Sequence, residues 1–189
     1  MGNWSETTLS VREMQEEDID RIISYWMNAA PAFLAGMGVD LAKIPPEEQW
    51  RKMLLDQIRQ TMAEKQSYCI IWLVDSKPVG HSNVNKIIFA EEAYMHLHMW
   101  QSPLRKKGYG AELVRKTLPF FFNRLQLRKI YCEPYALNPA PNKTLERVGF
   151  SFLKTYLTTP GWLNFEQEVN RWELTREKFE ELRKISEKF

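Results

Sequence analysis

Cysteine, histidine and excess charge of one sign are all scarce in this chain of 189 residues. The two cysteines, Cys69 and Cys132, stand in separate apolar runs without a histidine beside them, so we expect two buried free thiols and neither a disulfide nor a metal site. With 26 basic and 24 acidic residues the net charge is +2, which argues against a general binder of nucleic acid or of membrane surfaces. No apolar run has the length of a membrane span or the position of a signal peptide, and we expect a cytoplasmic protein.

Hydrophobic residues are plentiful, at 44% of the chain, and the length suits a single domain over residues 1–189. We expect strands over residues 9–12, 67–74, 79–89, 93–100, 129–133, 150–158 and 165–175. Helices are expected over 16–27, 46–65, 108–125, 138–148 and, as a closing helix, 176–189. Hairpins that feed into one strand–helix–strand crossover favour an α/β fold with one mixed sheet over a doubly wound parallel sheet.

Proline and glycine mark two irregular places in this plan. Residues 29–46 contain several of both and are expected to lack regular structure. Pro119 falls inside the helix expected over 108–125, where a missing N–H and a ring clash predict a bend.

The most informative pattern is the strand-to-helix junction Arg105-Lys106-Lys107-Gly108-Tyr109-Gly110. The first amides of a helix have no internal acceptor and carry partial positive charge, and glycine lets a backbone approach a diphosphate closely. Leu113 stands where a dinucleotide fingerprint needs its third glycine, and no Gly-Lys-Ser/Thr follows for a Walker loop. Taken alone, the pattern fits either a pyrophosphate loop or an exposed basic turn.

Arg-x-x-Gly-x-Gly at the start of a helix resembles the acetyl-CoA motif of the GNAT superfamily of N-acetyltransferases. A second segment, 138–150, reads Asn-Pro-Ala-Pro-Asn-Lys-Thr-Leu-Glu-Arg-Val-Gly-Phe and is similar to the Asn-x-x-Ser/Ala … Glu-Lys-x-Gly-Phe segment of that superfamily. The resemblance covers roughly residues 8–175 and is closest to the branch that acetylates ribosomal-protein N-terminal amines, with its drug- and polyamine-acetylating relatives. It implies a mixed, mostly antiparallel central sheet with splayed central strands, flanked by helices.

The same resemblance implies acetyl-CoA as co-substrate, held where strands 93–100 and 129–133 separate. The residues that it places against the cofactor lie on the strand, on the loop and in the second segment: His98, Met99, Trp100, Arg105, Lys106, Lys107, Gly108, Tyr109, Gly110, Ala111 and Asn138. Lys143 or Arg147 could meet the 3′-phosphate, although each also fits a solvated helix face.

Acetylation of an amine requires a neutral nitrogen, and histidine is the side chain best suited to accept the proton. Strand alternation puts Tyr94, His96 and His98 on one face, and in the resembling family the base often lies at the positions of Tyr94 or His96. We therefore expect His96 as general base, directly or through water, with His98 and Tyr94 in support. The alternative is a hydrogen-bonded strand histidine without a proton role. No third ligand stands near the pair, so no metal is expected.

Two departures from the family pattern leave the general acid open. Leu145 occupies the place of the tyrosine that many family members use, and Pro141 that of a frequent serine. Tyr135, Tyr156 or solvent could protonate the leaving thiolate.

The acceptor implied by the resemblance is a primary amine of a small molecule or of a protein N-terminus, recognised by residues 29–65 and 158–165. We expect a monomer or homodimer with neither a nucleic-acid nor a membrane partner. A CoA-binding regulatory module without catalysis, and a longer-acyl or aminoacyl transferase, are the alternatives.

Overall fold

The computed structural model describes residues 7–105 and 107–186. Within these residues seven strands form one sheet: β1 Leu9–Glu13, β2 Ser67–Val74, β3 Lys77–Ile88, β4 Glu92–Met99, β5 Lys129–Cys132, β6 Ser151–Thr158 and β7 Gln167–Thr175. The helices of the same residues are α1 Ile19–Asn28, α2 Pro31–Gly36, α3 Glu47–Arg59, α4 Tyr109–Arg124, α5 Pro139–Val148 and α6 Arg176–Ser186. The spatial strand order is β1-β2-β3-β4-β5-β7-β6, and every pair is antiparallel except β4 with β5. The expected α/β fold with a mixed, mostly antiparallel sheet is confirmed.

The two central strands separate after a short parallel contact. β4 and β5 pair only from Glu92 opposite Lys129 to Tyr94 opposite Tyr131. Beyond that point β4 stays paired with β3 as far as Met99, while β5 is held by β7. The thiol of Cys132 donates to the carbonyl of Met95 at 2.9 Å and closes the start of the gap. The predicted splay is therefore present, and it begins at Tyr94.

Backbone direction along β4 decides which groups face this gap. The N–H of Trp100 donates to the carbonyl of Val79 at 2.9 Å, on the β3 side. Because backbone groups alternate sides along a strand, those of His98 also point to β3, and those of Leu97 and Met99 point into the gap. Of His98, Met99 and Trp100, which the resemblance places against the cofactor, only Met99 directs its backbone groups to the gap, as Leu97 also does.

Both faces of the sheet are covered, which explains the continuous apolar run of β2. Ile70 and Trp72 pack in a core with α4, α5 and α6, whereas Cys69 and Ile71 pack in a second core with α1 and α3. Both cysteines are buried and free, as expected. No helix of the described residues is long and apolar enough to cross a membrane.

Helix ends differ from the sequence expectation in three places. α3 stops at Arg59 and not near residue 65, because the chain turns and Lys65 Nζ returns to cap the carbonyl of Gln57. α2 forms where irregular structure was expected, since Pro31 suits a first helical turn and six residues are too few to set a periodic pattern. The first helix opens with a 3₁₀ turn over Glu16–Asp18. α4 runs through Pro119, and the bend there stays a prediction; residues 187–189 lie outside the described part.

Gly80 on β3 is required by the close approach of β4. A Cβ at this position would lie 2.4 Å from the carbonyl oxygen of His98, closer than a side chain tolerates. The glycine thus lets β3 lie tight against the β4 segment that carries the histidines.

Candidate active site

A cavity of about 700 Å³ opens where β4 and β5 separate, on the sheet face covered by α1 and α3. This size lies within the usual range of ligand pockets, roughly 300–1,000 Å³. His96 and His98 of β4 line one side of the cavity. Glu133, Tyr135 and Asn138, from the chain that follows β5, also line it. The cavity therefore gathers groups from both splayed strands.

His96 is oriented by one neighbour on β3. Its Nε2 lies 3.1 Å from Oδ1 of Asn85, an acceptor, so Nε2 carries the proton. Nδ1 is then the unprotonated nitrogen, and no described residue donates a hydrogen bond to it. Burial lowers the pKa of His96 to about 4, with a smaller contribution from the charge of Lys86. The imidazole is thus neutral near pH 7 and has a lone pair available to a ligand.

His98 lies deeper, inside a stack of rings. It packs on His81 with ring centroids 4.6 Å apart and against Trp26 at 5.1 Å, and its Nδ1 is 3.4 Å from the hydroxyl of Tyr25. Trp100 Nε1 donates to Nδ1 of His81 at 2.8 Å, which places the proton of His81 on Nε2. Burial lowers the pKa of both His81 and His98. This stack ties β3, β4 and α1 together behind His96.

Acid should destabilise the fold through these buried rings. Burial lowers the pKa of His81 from 6.5 to about 3, so between these values the unfolded chain binds a proton that the folded chain does not. Stability present above the ordinary pKa is then lost as pH falls, by about 2 kcal/mol from His81 between roughly pH 7 and pH 5. Urea unfolding at the two pH values measures this loss. Over the same pH range the free energy of unfolding of the variant His81→Gln should fall by about 2 kcal/mol less than that of the parent protein. A pH dependence equal to that of the parent would contradict the assignment.

Tyr94, the third predicted catalytic residue, is engaged elsewhere. Its hydroxyl accepts a hydrogen bond from Nη2 of Arg171 at 2.8 Å, and the guanidinium of Arg171 lies over the ring of Tyr131 at 4.0 Å. Arg171 is also 3.6 Å from Glu133, whose carboxylate accepts from the hydroxyl of Tyr156. Burial raises the pKa of Tyr94. Unlike His96 and His98, Tyr94 is not among the described residues that line the cavity.

The glycine loop forms the amino end of α4, as its sequence predicts. Gly108 is the N-cap residue with φ of 83°, a left-handed conformation that favours glycine, and nothing lies within 4 Å of a Cβ added there. The amides of Tyr109, Gly110 and Ala111 are the first of the helix and have no acceptor in the turn before them. This open, positively polarised helix end suits a diphosphate.

The basic residues of the loop are not equivalent. Arg105 turns back onto β4, where Nη2 donates to the carbonyl of Met99 at 2.9 Å and the guanidinium stacks on Phe33 at 4.0 Å. Lys107 is exposed, and Lys106 lies outside the described residues. The side chain of Arg105 is therefore hydrogen-bonded to the carbonyl of Met99, which is the carbonyl that a pantetheine arm in the gap would meet.

Asn138 is the N-cap residue of α5 and lines the cavity. Its side-chain amide makes no hydrogen bond with any described residue, so it is open to a ligand. The carbonyl of Asn138 accepts from Asn142 Nδ2 at 2.8 Å, and Asn142 Oδ1 in turn accepts from Asn170 and Trp172 of β7. The second sequence motif thus anchors α5 to the sheet beside the gap.

The positions that depart from the family pattern have different surroundings. Leu145 is fully buried in the core, whereas Pro141 lines the cavity. Of the phenols considered as general acids, Tyr135 lines the cavity and Tyr156 is bonded to Glu133. Among the described residues no group of three or more His, Cys, Asp or Glu side chains is placed to hold a metal ion.

Sequence reasoning missed several residues of the site. Asn85 and Glu133 carry no motif, and only the register of β3 and the end of β5 bring them to His96. The cavity wall opposite the gap contains Trp26, Trp50 and Trp162, from α1, α3 and the β6–β7 loop. Trp50 and Trp162 fall within residues 29–65 and 158–165, where acceptor recognition is expected, whereas Trp26 does not.

The central parallel strands separate beside the open amino end of α4, next to a cavity that contains a neutral histidine. This arrangement is typical of acyl-CoA-dependent transferases. The acetyltransferase (GNAT) domain family matches residues 8–151, and the chain belongs to this family. The resemblance drawn from the two sequence motifs is therefore confirmed.

Solved structures show the same fold. Aminoglycoside acetyltransferase AAC(6')-Ib, in complex with coenzyme A and kanamycin, superposes with a TM-score of 0.72 at 17% identity, over 93% of this chain and 99% of its own. The spermidine N-acetyltransferase of Vibrio cholerae with CoA and spermine gives 0.73 at 16%, over 90% and 97%. RimL, a ribosomal L7/L12 alpha-N-protein acetyltransferase in complex with coenzyme A, gives 0.73 at 15%, over 92% and 97%. No curated protein sequence matches the chain at a significant level.

Proposed function

We propose that this protein transfers an acetyl group from acetyl-CoA to a primary amine by direct attack within a ternary complex. The observation that carries the proposal is the gap that opens after Tyr94, because β4, which borders it, leads from His96 in the cavity to the loop that opens α4. Family membership and the CoA-bound structures of similar fold support the same donor. The acceptors named for those structures are an aminoglycoside, a polyamine and a ribosomal protein, and each of them carries an amino group.

The donor fits the residues present in the gap. Amides of Tyr109, Gly110 and Ala111 would receive the pyrophosphate, and the backbone groups of Leu97 and Met99 would receive the pantetheine arm. The side-chain amide of Asn138, which lines the cavity, would bind the same arm. Acetyl-CoA supplies the acetyl group as a thioester, whose C–S bond breaks as the amine nitrogen bonds to the carbonyl carbon.

Two protons then have to move, and the cavity offers one group for each. We assign the proton that the amine loses to Nδ1 of His96, directly or through water. We assign the proton that the thiolate gains to the hydroxyl of Tyr135, because Tyr135 lines the cavity. His98 packs on His81 and Trp26, and Tyr94 is bonded to Arg171, so we assign no step of the reaction to either.

Thiol release tests the proposal together with calorimetry. The protein should bind acetyl-CoA and release free thiol when amines are added, and Tyr135→Phe should lower kcat about tenfold with unchanged affinity for acetyl-CoA. Binding without thiol release for any amine would favour a regulatory CoA-binding module. Turnover only with longer acyl-CoA donors would favour a longer-acyl transferase. The absence of any acetyl-CoA binding would overturn the proposal.

We further propose one domain over residues 1–189, a cytoplasmic location, and a monomer or homodimer without nucleic-acid or membrane partners. The near balance of charge and the two buried free thiols support these expectations. Light scattering of the purified protein determines the oligomeric state, and fractionation determines the location.

A further inference from the structure

The acceptor half of the cavity has an aromatic wall. Trp26 stacks on Trp50 with ring centroids 5.7 Å apart and an interplanar angle of 15°, and Trp50 meets Trp162 at 5.7 Å. At its inner end the wall touches His98, which lies 5.1 Å from Trp26. At its outer end Trp162 is 48% exposed. A row of indoles therefore runs from solvent at Trp162 to the splayed strand, with Trp26 and Trp50 mostly buried along it.

The loop that carries Trp162 is fixed in place. Lys86 Nζ donates to the carbonyl of Pro160 at 2.7 Å, and Lys43 Nζ donates to that of Asn164 at 2.6 Å. Asn164 Nδ2 also donates to the carbonyl of Gly38 at 2.9 Å. Trp162 is therefore held over the cavity mouth by bonds to β3 and to the segment after α2.

Two buried polar atoms of the wall have no partner among the described residues. Trp50 and Gln167 are 6% and 4% exposed, yet Nε1 of Trp50 and Oε1 of Gln167 form no hydrogen bond. Both residues line the cavity. A buried donor without a partner is rare in folded proteins, so Nε1 of Trp50 indicates a bound acceptor, whereas Oε1 of Gln167 lies against Gly38.

The charge of the described lining is low. Its ordinarily charged side chains are the carboxylates Asp56 and Glu133 and the ammonium of Lys86, which leaves one net negative charge. Glu133 already has Tyr156 and Arg171 as partners, and Asp56 lies 3.6 Å from Lys52. A polycation such as a polyamine or an aminoglycoside would find few carboxylates to compensate its charge.

We infer that the acceptor is a primary amine with a single cationic nitrogen, carried on a flat aromatic body that bears one polar group. The ring lies along Trp162, its polar group accepts a hydrogen bond from Nε1 of Trp50, and the amine reaches the splayed strand beside His96. Stacking and edge contacts of such a ring add to the burial of its apolar area. This inference rests on the proposed function and names its substrate class.

The test compares amines of different charge and shape. With saturating acetyl-CoA, kcat/KM for tyramine should exceed that for spermidine and kanamycin by about tenfold or more. Higher kcat/KM for spermidine or kanamycin would overturn the inference while leaving acetyl transfer established. Thiol release with none of these amines, or no acetyl-CoA binding in calorimetry, would instead remove the proposed function beneath it.

Variants of the wall separate substrate recognition from stability. Trp162→Ala should raise KM for tyramine about tenfold and leave KM for spermidine within about twofold. Trp50→Phe, which keeps a ring and removes the indole N–H, should raise KM for tyramine with little change in kcat. Leu157→Ala is the matched control, since Leu157 is 61% exposed on β6 and away from the cavity. Unchanged acetyl-CoA affinity verifies the fold of each variant, and equal effects of Trp162→Ala on both amines would overturn the inference.

Discussion

Replacement of Gly108 by tryptophan should weaken acetyl-CoA binding about 100-fold or more, equivalent to roughly 2.7 kcal/mol, while the protein remains folded. Gly108 is the N-cap residue of α4, and nothing lies within 4 Å of a Cβ built on it. An indole at this position has room to fold over the first amides of α4, which are the groups that we assign to the pyrophosphate. Calorimetric titration with acetyl-CoA measures the loss.

Gly108→Ala is the matched control for this experiment. Both variants force a side chain into a φ of 83°, which costs about 1–2 kcal/mol of stability, but alanine adds no ring over the helix end. The alanine variant should therefore bind acetyl-CoA within about threefold of the parent protein, with a similar loss of stability to the tryptophan variant. Equal weakening by both would assign the effect to backbone strain, and no weakening by either would remove the loop from the cofactor site.

The parts of the structure that the sequence predicts are those determined by neighbouring residues. The residues of β2 are apolar without a break from Tyr68 to Val74, so both faces of this strand are expected to be covered. The Gly108 turn and the α5 segment are likewise local, because glycine conformation and helix starts depend on a few consecutive residues. Their separation along the chain then identified the family, and the family implied the splay.

What the sequence could not predict are the contacts between distant segments. Arg105 belongs to the basic loop, yet its guanidinium bonds to the carbonyl of Met99 and stacks on Phe33, over 70 residues earlier. No periodic pattern encodes that choice, because any Arg side chain of a loop has solvent as an alternative. Binding of acetyl-CoA along Met99 would have to displace or share this bond, which makes Arg105 a residue whose side chain should move when the donor binds.

The aromatic wall also depends on contacts between segments that are distant in the sequence. Trp26, Trp50 and Trp162 are far apart in sequence, and each has a local role as a helix or loop residue. Only the packing of α1 against α3, with the β6–β7 loop held by Lys43 and Lys86, brings them into one surface. Histidine chemistry is affected in the same way: His96 was expected from strand alternation, but its tautomer depends on Asn85 across β3 and its low pKa on burial.

Replacement of His96 by glutamine should lower kcat about 100-fold and leave acetyl-CoA affinity unchanged, if His96 takes the proton of the amine. A glutamine amide can still donate to Oδ1 of Asn85, as Nε2 of His96 does at 3.1 Å, but it cannot accept a proton. The fold and the wall of the cavity are therefore kept while the base is removed. Steady-state kinetics with a saturating amine measure kcat, and calorimetry measures the affinity for acetyl-CoA.

The companion variant Asn85→Ala tests how the base is positioned. It leaves the imidazole in place but removes the acceptor that fixes its proton on Nε2, so kcat should fall by a smaller factor, about tenfold. Because burial lowers the pKa of His96 to about 4, the imidazole of Asn85→Ala is neutral from about pH 7 to 9, and the loss of kcat in this variant should not be recovered by raising the pH over this range. A kcat for His96→Gln within about threefold of the parent would instead assign proton removal to solvent and leave His96 as a structural residue of β4.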